Sequence, residues 1–166
     1  MKGFDNEDYV IAYIISNVAA ILLLWISWKK PRLGRLLFSL LFAWASWVNM
    51  RNAIYQPEIY LGNADLTFLK VYKDFILGFF SRNTSLIVGG IAVGQGLIAL
   101  SMLLRGIIFK IGAVGAIIFF FSIAPLGMGS AFPCTLIMAS GMYLLLKKEN
   151  YQYLWVNSTP HQYDIA

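Results

Sequence analysis

The sequence predicts an all-α integral membrane protein with about five transmembrane helices, N-terminus out and C-terminus in, and an amphipathic interfacial helix in the loop after the second. Of the 166 residues, 59% are hydrophobic and only 13% charged, and the mean hydropathy is +0.68; soluble domains do not look like this. Five segments are apolar enough to cross or nearly cross a bilayer core, which takes about 20 residues, or about 17 at the short end. They are 9–28, 36–50 with its flanks, 85–104, 111–124 and 131–146. Alternating spans put Lys29, Lys30, Arg32, Arg35, Arg105, Lys110, Lys147 and Lys148 on one side against only Glu149 and Asp164. The opposite side mixes Lys2, Arg51, Lys70, Lys73 and Arg82 with Asp5, Glu7, Asp8, Glu58, Asp65 and Asp74. The positive-inside rule sets the basic side in the cytoplasm. The net charge of +5 is then topology signal and contact with anionic membrane lipid, and it requires no nucleic acid.

The first segment is read as a retained helix, because an acidic leader precedes it and KKPRLGR follows where a signal peptide would carry small residues. Tyr9 and Tyr13 at one end, and Trp25 and Trp28 beside Lys29 and Lys30 at the other, form interfacial anchors. Pro31 forces a turn into the second helix. In that helix Ala43, Ala45 and Ser46 lie between tryptophans and permit close helix approach. Over 65–81 the apolar residues Phe68, Leu69, Tyr72, Phe75, Ile76, Phe79 and Phe80 recur at three- and four-residue steps. That spacing predicts an amphipathic helix in the outer interface, with Asp65 as N-cap and Lys70 paired to Asp74; a short re-entrant segment is the alternative. Gly90, Gly94 and Gly96 in the third helix form a packing surface containing a GxxxG step. Pro125, Gly127, Gly129 and Pro133 break the chain between the last two segments. A single helix over 111–146 would run about 50 Å against a core of about 30 Å, so two spans fit better.

Candidate chemistry rests on few residues. Gln95 is the one polar interior residue of IAVGQGLIALSMLLRG, and a carboxamide in hydrocarbon must find hydrogen-bond partners. It either locks two helices together or, with Asn49, Asn52 and Arg51 near the end of the second helix, lines a ligand pocket. Arg51 is either a snorkelling interfacial residue or, paired with Glu58 or Asp65, the mouth of that pocket. The single Cys134 excludes a disulfide within one chain and reads as an apolar filler. The only histidine, His161, lies in a polar tail with Tyr151, Tyr153 and Trp155, so one chain offers no metal or haem site. No catalytic triad, phosphate-binding loop or intramembrane carboxylate pair is present. A proton-coupled transporter is therefore disfavoured, and a channel would need a charged ring supplied by oligomerisation.

The runs RLLFSLLFAWASWVNMRNAIYQ from Arg35, GGIAVGQGLIALSMLLRG ending near Arg105, and FFSIAPLGMGSAFPCTLIMASGMYLL resemble the DoxX-like membrane proteins, which include the DoxD-type small subunit of thiosulfate:quinone oxidoreductase. Arg35, the 94–96 stretch and Arg105 match the family pattern, whereas Gln95 stands where members often carry an acid. The resemblance implies a four-helix membrane module over 33–147, with 1–32 an additional N-terminal helix and turn and 148–166 a cytoplasmic tail. It also implies a multi-pass protein of a bacterial-type inner membrane, an accessory or anchoring subunit of a larger complex, with quinone-linked redox chemistry and quinone as the cofactor in view. The other reading is a stand-alone module that binds a quinone or small lipid-soluble substrate. Expected partners are membrane lipids and other membrane subunits or further copies of the chain.

Overall fold

The computed structural model describes residues 7–148, which form helices with no strand among them. Lys2, Asp5, the side chains of Asp8 and Tyr9, and the tail from Glu149 with Tyr151, Tyr153, Trp155, His161 and Asp164 lie outside the described residues. In chain order the helices are α1 (Glu7–Lys29), α2 (Pro31–Tyr55), α3 (Asn63–Leu66), α4 (Lys70–Phe75), α5 (Thr84–Ser101), α6 (Gly106–Ile123) and α7 (Cys134–Lys148). Four helices are long and apolar enough to cross a membrane: α1, α2, α5, and α6 with its extension to Ser130. At 15 residues, α7 rises only about 22 Å, short of a core of about 30 Å.

The five long helices form a ring in which α1 packs on α2, α2 on α5, α5 on α6, α6 on α7, and α7 back on α1. Its turns follow from backbone chemistry. Lys30 leaves the helical region (φ −134°, ψ 72°) ahead of Pro31, so α1 ends and α2 begins one residue later. Between α6 and α7 the chain tightens into a 3₁₀ turn over Ala124–Ser130, where Gly127 adopts φ +64°. A Cβ there would lie 2.7 Å from the Leu66 carbonyl oxygen, so glycine is required by conformation and by space.

Inside the ring, Phe38 and Phe42 of α2 stack with Phe120 of α6 at centroid distances of 6.3 and 5.3 Å. Met102, Phe109, Ala113, Met142 and Leu145 complete the core. Membrane helices gain little from the hydrophobic effect against one another, so close packing and hydrogen bonds hold them. Glycine supplies the closeness. A Cβ on Gly112 would lie 1.6 Å from Ser101 Oγ, and one on Gly34 would lie 2.9 Å from the Ser27 Cα. A second cluster of Ala53, Ala64, Ile76, Phe80 and Val88 seats the 57–83 segment on one end of the ring, here called the loop end.

Two expectations need correction. The segment 65–81 is not one amphipathic helix: Asp65 sits inside α3, and the chain extends through Thr67 (ψ 143°) and Leu69 before α4 starts, after which it stays helical through a π turn at Ile76–Phe80. The cause is tertiary, because Thr67 Oγ1 donates to the Pro125 carbonyl at 2.6 Å and accepts from the Leu69 N–H at 3.3 Å. Asp65 pairs with Lys73 at 3.3 Å, and no ion pair joins Lys70 to Asp74 among the described residues. Of the periodic apolar set, Ile76 and Phe80 are buried, whereas Phe68, Leu69, Phe75 and Phe79 remain exposed. The second correction concerns the glycines. Gly96 does face α2, where an added Cβ would meet Ser46 Oγ at 3.1 Å, but nothing lies within 4 Å of one on Gly90 or Gly94. The GxxxG step faces away from the ring.

Candidate functional site

The seam between α2 and α5 carries the polar residues. On α2, Arg35, Ser39, Ser46 and Asn49 follow one another at steps of four, seven and three, which sets them on one helical face. Ser39 Oγ donates to the Ala99 carbonyl at 2.8 Å and Ser46 Oγ to the Ala92 carbonyl at 2.6 Å. Arg35, nine-tenths buried, donates from Nε and Nη2 to the Met102 carbonyl at 3.0 and 2.8 Å, and from Nη2 also to Leu104. These carbonyls follow the last turn of α5, where oxygens lack helical partners and the dipole favours a cation. The Arg35 guanidinium also lies 4.3 Å from the centre of the Phe109 ring.

Above these contacts lies a connected set of neutral groups. Asn52 Nδ2 donates to the Tyr60 hydroxyl at 3.4 Å, Tyr60 donates to Asn49 Oδ1 at 2.6 Å, and Asn49 Nδ2 donates to Gln95 Oε1 at 2.7 Å. Gln95 is only 3% exposed. Its Nε2 donates to no group among the described residues, which leaves two amide N–H bonds inside the bundle without a protein acceptor. With no carboxylate, histidine or thiol in the set, these side chains offer hydrogen bonds and no acid–base pair.

Three predicted site residues thus come together: Gln95, Asn49 and Asn52. Arg51 does not join them. On a helix turning about 100° per residue, positions 49 and 52 lie close together in projection while 51 points away. Arg51 is exposed, and it pairs with neither Glu58 nor Asp65. Tyr60, which links the two asparagines, lies in the 3₁₀ turn Pro57–Gly62 and carries no spacing signal. Ser39 and Ser46 were detectable in principle from their helical steps relative to Asn49. Cys134 is buried, with its thiol 3.4 Å from the Ser16 carbonyl, as a filler residue would be. Among the described residues no group of three or more His, Cys, Asp or Glu could hold a metal. No family model, curated protein or solved structure matches the chain.

Proposed function

We propose that the chain is a DoxX-like multi-pass protein of a bacterial-type inner membrane that acts as an accessory or anchoring subunit of a larger, quinone-linked membrane complex. The observation that carries this reading is the outward face of α5. Leu86, Val93, Leu97 and Leu100 are more than half exposed there, and Gly90 and Gly94 between them have open space where a side chain would be. In a bilayer such a face admits the backbone of another helix. In this reading α7 is the fifth crossing. Its last lysine, Lys148, donates to the Trp28 carbonyl at 2.6 Å, so the basic ends of α1 and α7 adjoin, and the positive-inside rule favours that end in the cytoplasm. Extraction in mild detergent followed by native mass spectrometry tests the proposal. Partner subunits at fixed stoichiometry, lost on Gly90→Leu while the bundle keeps its helicity, are expected. A single chain carrying no partner from its native membrane would refute it.

A second reading, a module that holds a quinone or similar lipid-soluble carbonyl compound, is favoured by the unpartnered Gln95 Nε2. A carbonyl oxygen is the acceptor those N–H groups lack. A quinone co-extracted in fixed proportion and lost on Gln95→Leu would support it; retention in that variant would return Gln95 to packing alone.

A further inference from the structure

We infer that the loop end carries a binding site for a zwitterionic phospholipid headgroup of the phosphoethanolamine type, between the Pro57–Gly62 turn and the start of α5. A cleft of about 360 Å³ opens there, lined among others by Glu58, Arg82 and Ser85, within the roughly 300–1,000 Å³ of small-molecule sites. Arg82 and Glu58 are both exposed and border the same cleft, yet no ion pair joins them, and neither has a partner elsewhere among the described residues. The Ser85 hydroxyl is also exposed and makes no hydrogen bond among these residues. The cleft therefore presents a cation, an anion and a hydroxyl donor that do not satisfy one another across the gap.

Position in the membrane selects what fills such a gap. Arg82 precedes by two residues the first residue of the candidate span Thr84–Ser101, which sets it at headgroup depth. Leu86, 77% exposed on the same rim, continues onto the lipid-facing side of α5. A phosphate would take the guanidinium and the Ser85 hydroxyl, and an ammonium on the same headgroup would take the Glu58 carboxylate. The lining discriminates among headgroups. A quaternary ammonium cannot donate hydrogen bonds and is held best by aromatic faces, and no aromatic residue lines the cleft. A headgroup with net negative charge would leave Glu58 opposed. A primary ammonium beside a phosphate satisfies both walls.

The test uses the full-length protein, delipidated in detergent and titrated with phosphatidylethanolamine, phosphatidylcholine and phosphatidylglycerol of identical chains, read by native mass spectrometry. Phosphatidylethanolamine should bind about tenfold more tightly than the other two, the worth of one charge-assisted hydrogen bond. Glu58→Gln should bring it down to the phosphatidylcholine level, and Arg82→Gln should weaken all three lipids. Both residues are exposed, so neither change threatens the fold. Lys70→Gln removes an exposed cation of the 57–83 segment outside the cleft and should change nothing. Free phosphoethanolamine should compete weakly and inorganic phosphate not at all. Equal binding of the three lipids, or equal losses in the Lys70 variant, would overturn the site. Displacement by inorganic phosphate would overturn the zwitterionic assignment. Binding of free phosphoethanolamine as tightly as the lipid would make the ligand the soluble headgroup and overturn the lipid assignment.

Discussion

Replacing Gln95 by leucine removes one hydrogen bond between helices. The Asn49 amide loses its acceptor at 2.7 Å, and an interhelical hydrogen bond in a membrane is worth about 0.6 kcal/mol on average and about 1.7 kcal/mol at most. In lipid-free detergent, Gln95→Leu should therefore destabilise the protein by about 0.6–1.7 kcal/mol. The hydrogen bond itself is isolated by a double-mutant cycle with Asn49→Leu, followed by far-UV circular dichroism as SDS unfolds the protein in mixed micelles. The expected coupling is about 1 kcal/mol, roughly fivefold in the unfolding constant. A coupling below about 0.5 kcal/mol, the scatter of independent sites, would refute the claim that Asn49 and Gln95 act as one unit. The same variant separates the two functional readings. If a ligand carbonyl engages Nε2 in the native membrane, Gln95→Leu destabilises the protein more in native lipid extract than in pure detergent.

Gly112→Ala should destabilise the bundle by about 1–3 kcal/mol, since its Cβ would overlap Ser101 Oγ at the α5–α6 crossing. The double variant Ser101→Gly/Gly112→Ala should recover most of that loss in the same unfolding titration. Thr135→Val should stabilise by about 1 kcal/mol, because Thr135 Oγ1 is buried without a hydrogen-bond partner in the structure; a lower unfolding midpoint would contradict this.

The long helices were legible in the sequence because their signal is local: apolar runs, Pro31 and the Pro/Gly group at 125–133 mark where the chain is apolar enough to cross and where it must turn. The 57–83 segment was not, because its structure is set by what it lands on. The periodicity of Phe68 to Phe80 is real, but Thr67 bonds the end of α6 at Pro125, and Tyr72 donates to the Ser122 carbonyl at 2.7 Å. The Thr67 anchor breaks, ahead of Lys70, a helix that spacing alone would continue, and Tyr72 fixes the helix that resumes there. Gln95 and Asn49 could be found as residues that hydrocarbon cannot satisfy, whereas their bridge Tyr60 could not, since a tyrosine in a polar turn resembles any interfacial tyrosine. Arg51 was misplaced by reading proximity in sequence as proximity in space; helical phase separates it from Asn49 and Asn52. Gly90 and Gly94 show the same limit in reverse, because a GxxxG step declares a close contact without declaring whether the partner lies inside the chain.

The contacts of α2 and α1 differ in kind, and the difference predicts which helix leaves first. Side-chain bonds from Arg35, Ser39, Ser46 and Asn49 stitch α2 to α5 along most of their shared length. A slip of one residue would break all of them together. α1 is held at its middle, by Asn17 Nδ2 donating to the Ala131 carbonyl at 3.0 Å, and at its C-terminal end, by Lys148 reaching the Trp28 carbonyl. Between those points Ser27 bonds only within its own helix, to Leu23. Cys134, 5% exposed and covered by α1 at Ser16, is a natural reporter of the gap that opens when α1 detaches. Asn17→Ala deletes one tertiary hydrogen bond, about 0.6–1.7 kcal/mol, and should raise the rate of Cys134 labelling by a small maleimide roughly three- to twentyfold under conditions where opening limits reaction. Ser27→Ala, which removes no hydrogen bond between helices, should raise that rate far less. Labelling insensitive to Asn17→Ala, or equally accelerated by Ser27→Ala, would mean that α1 is held by the close approaches at Gly34 and Gly141 and that its polar contacts are incidental.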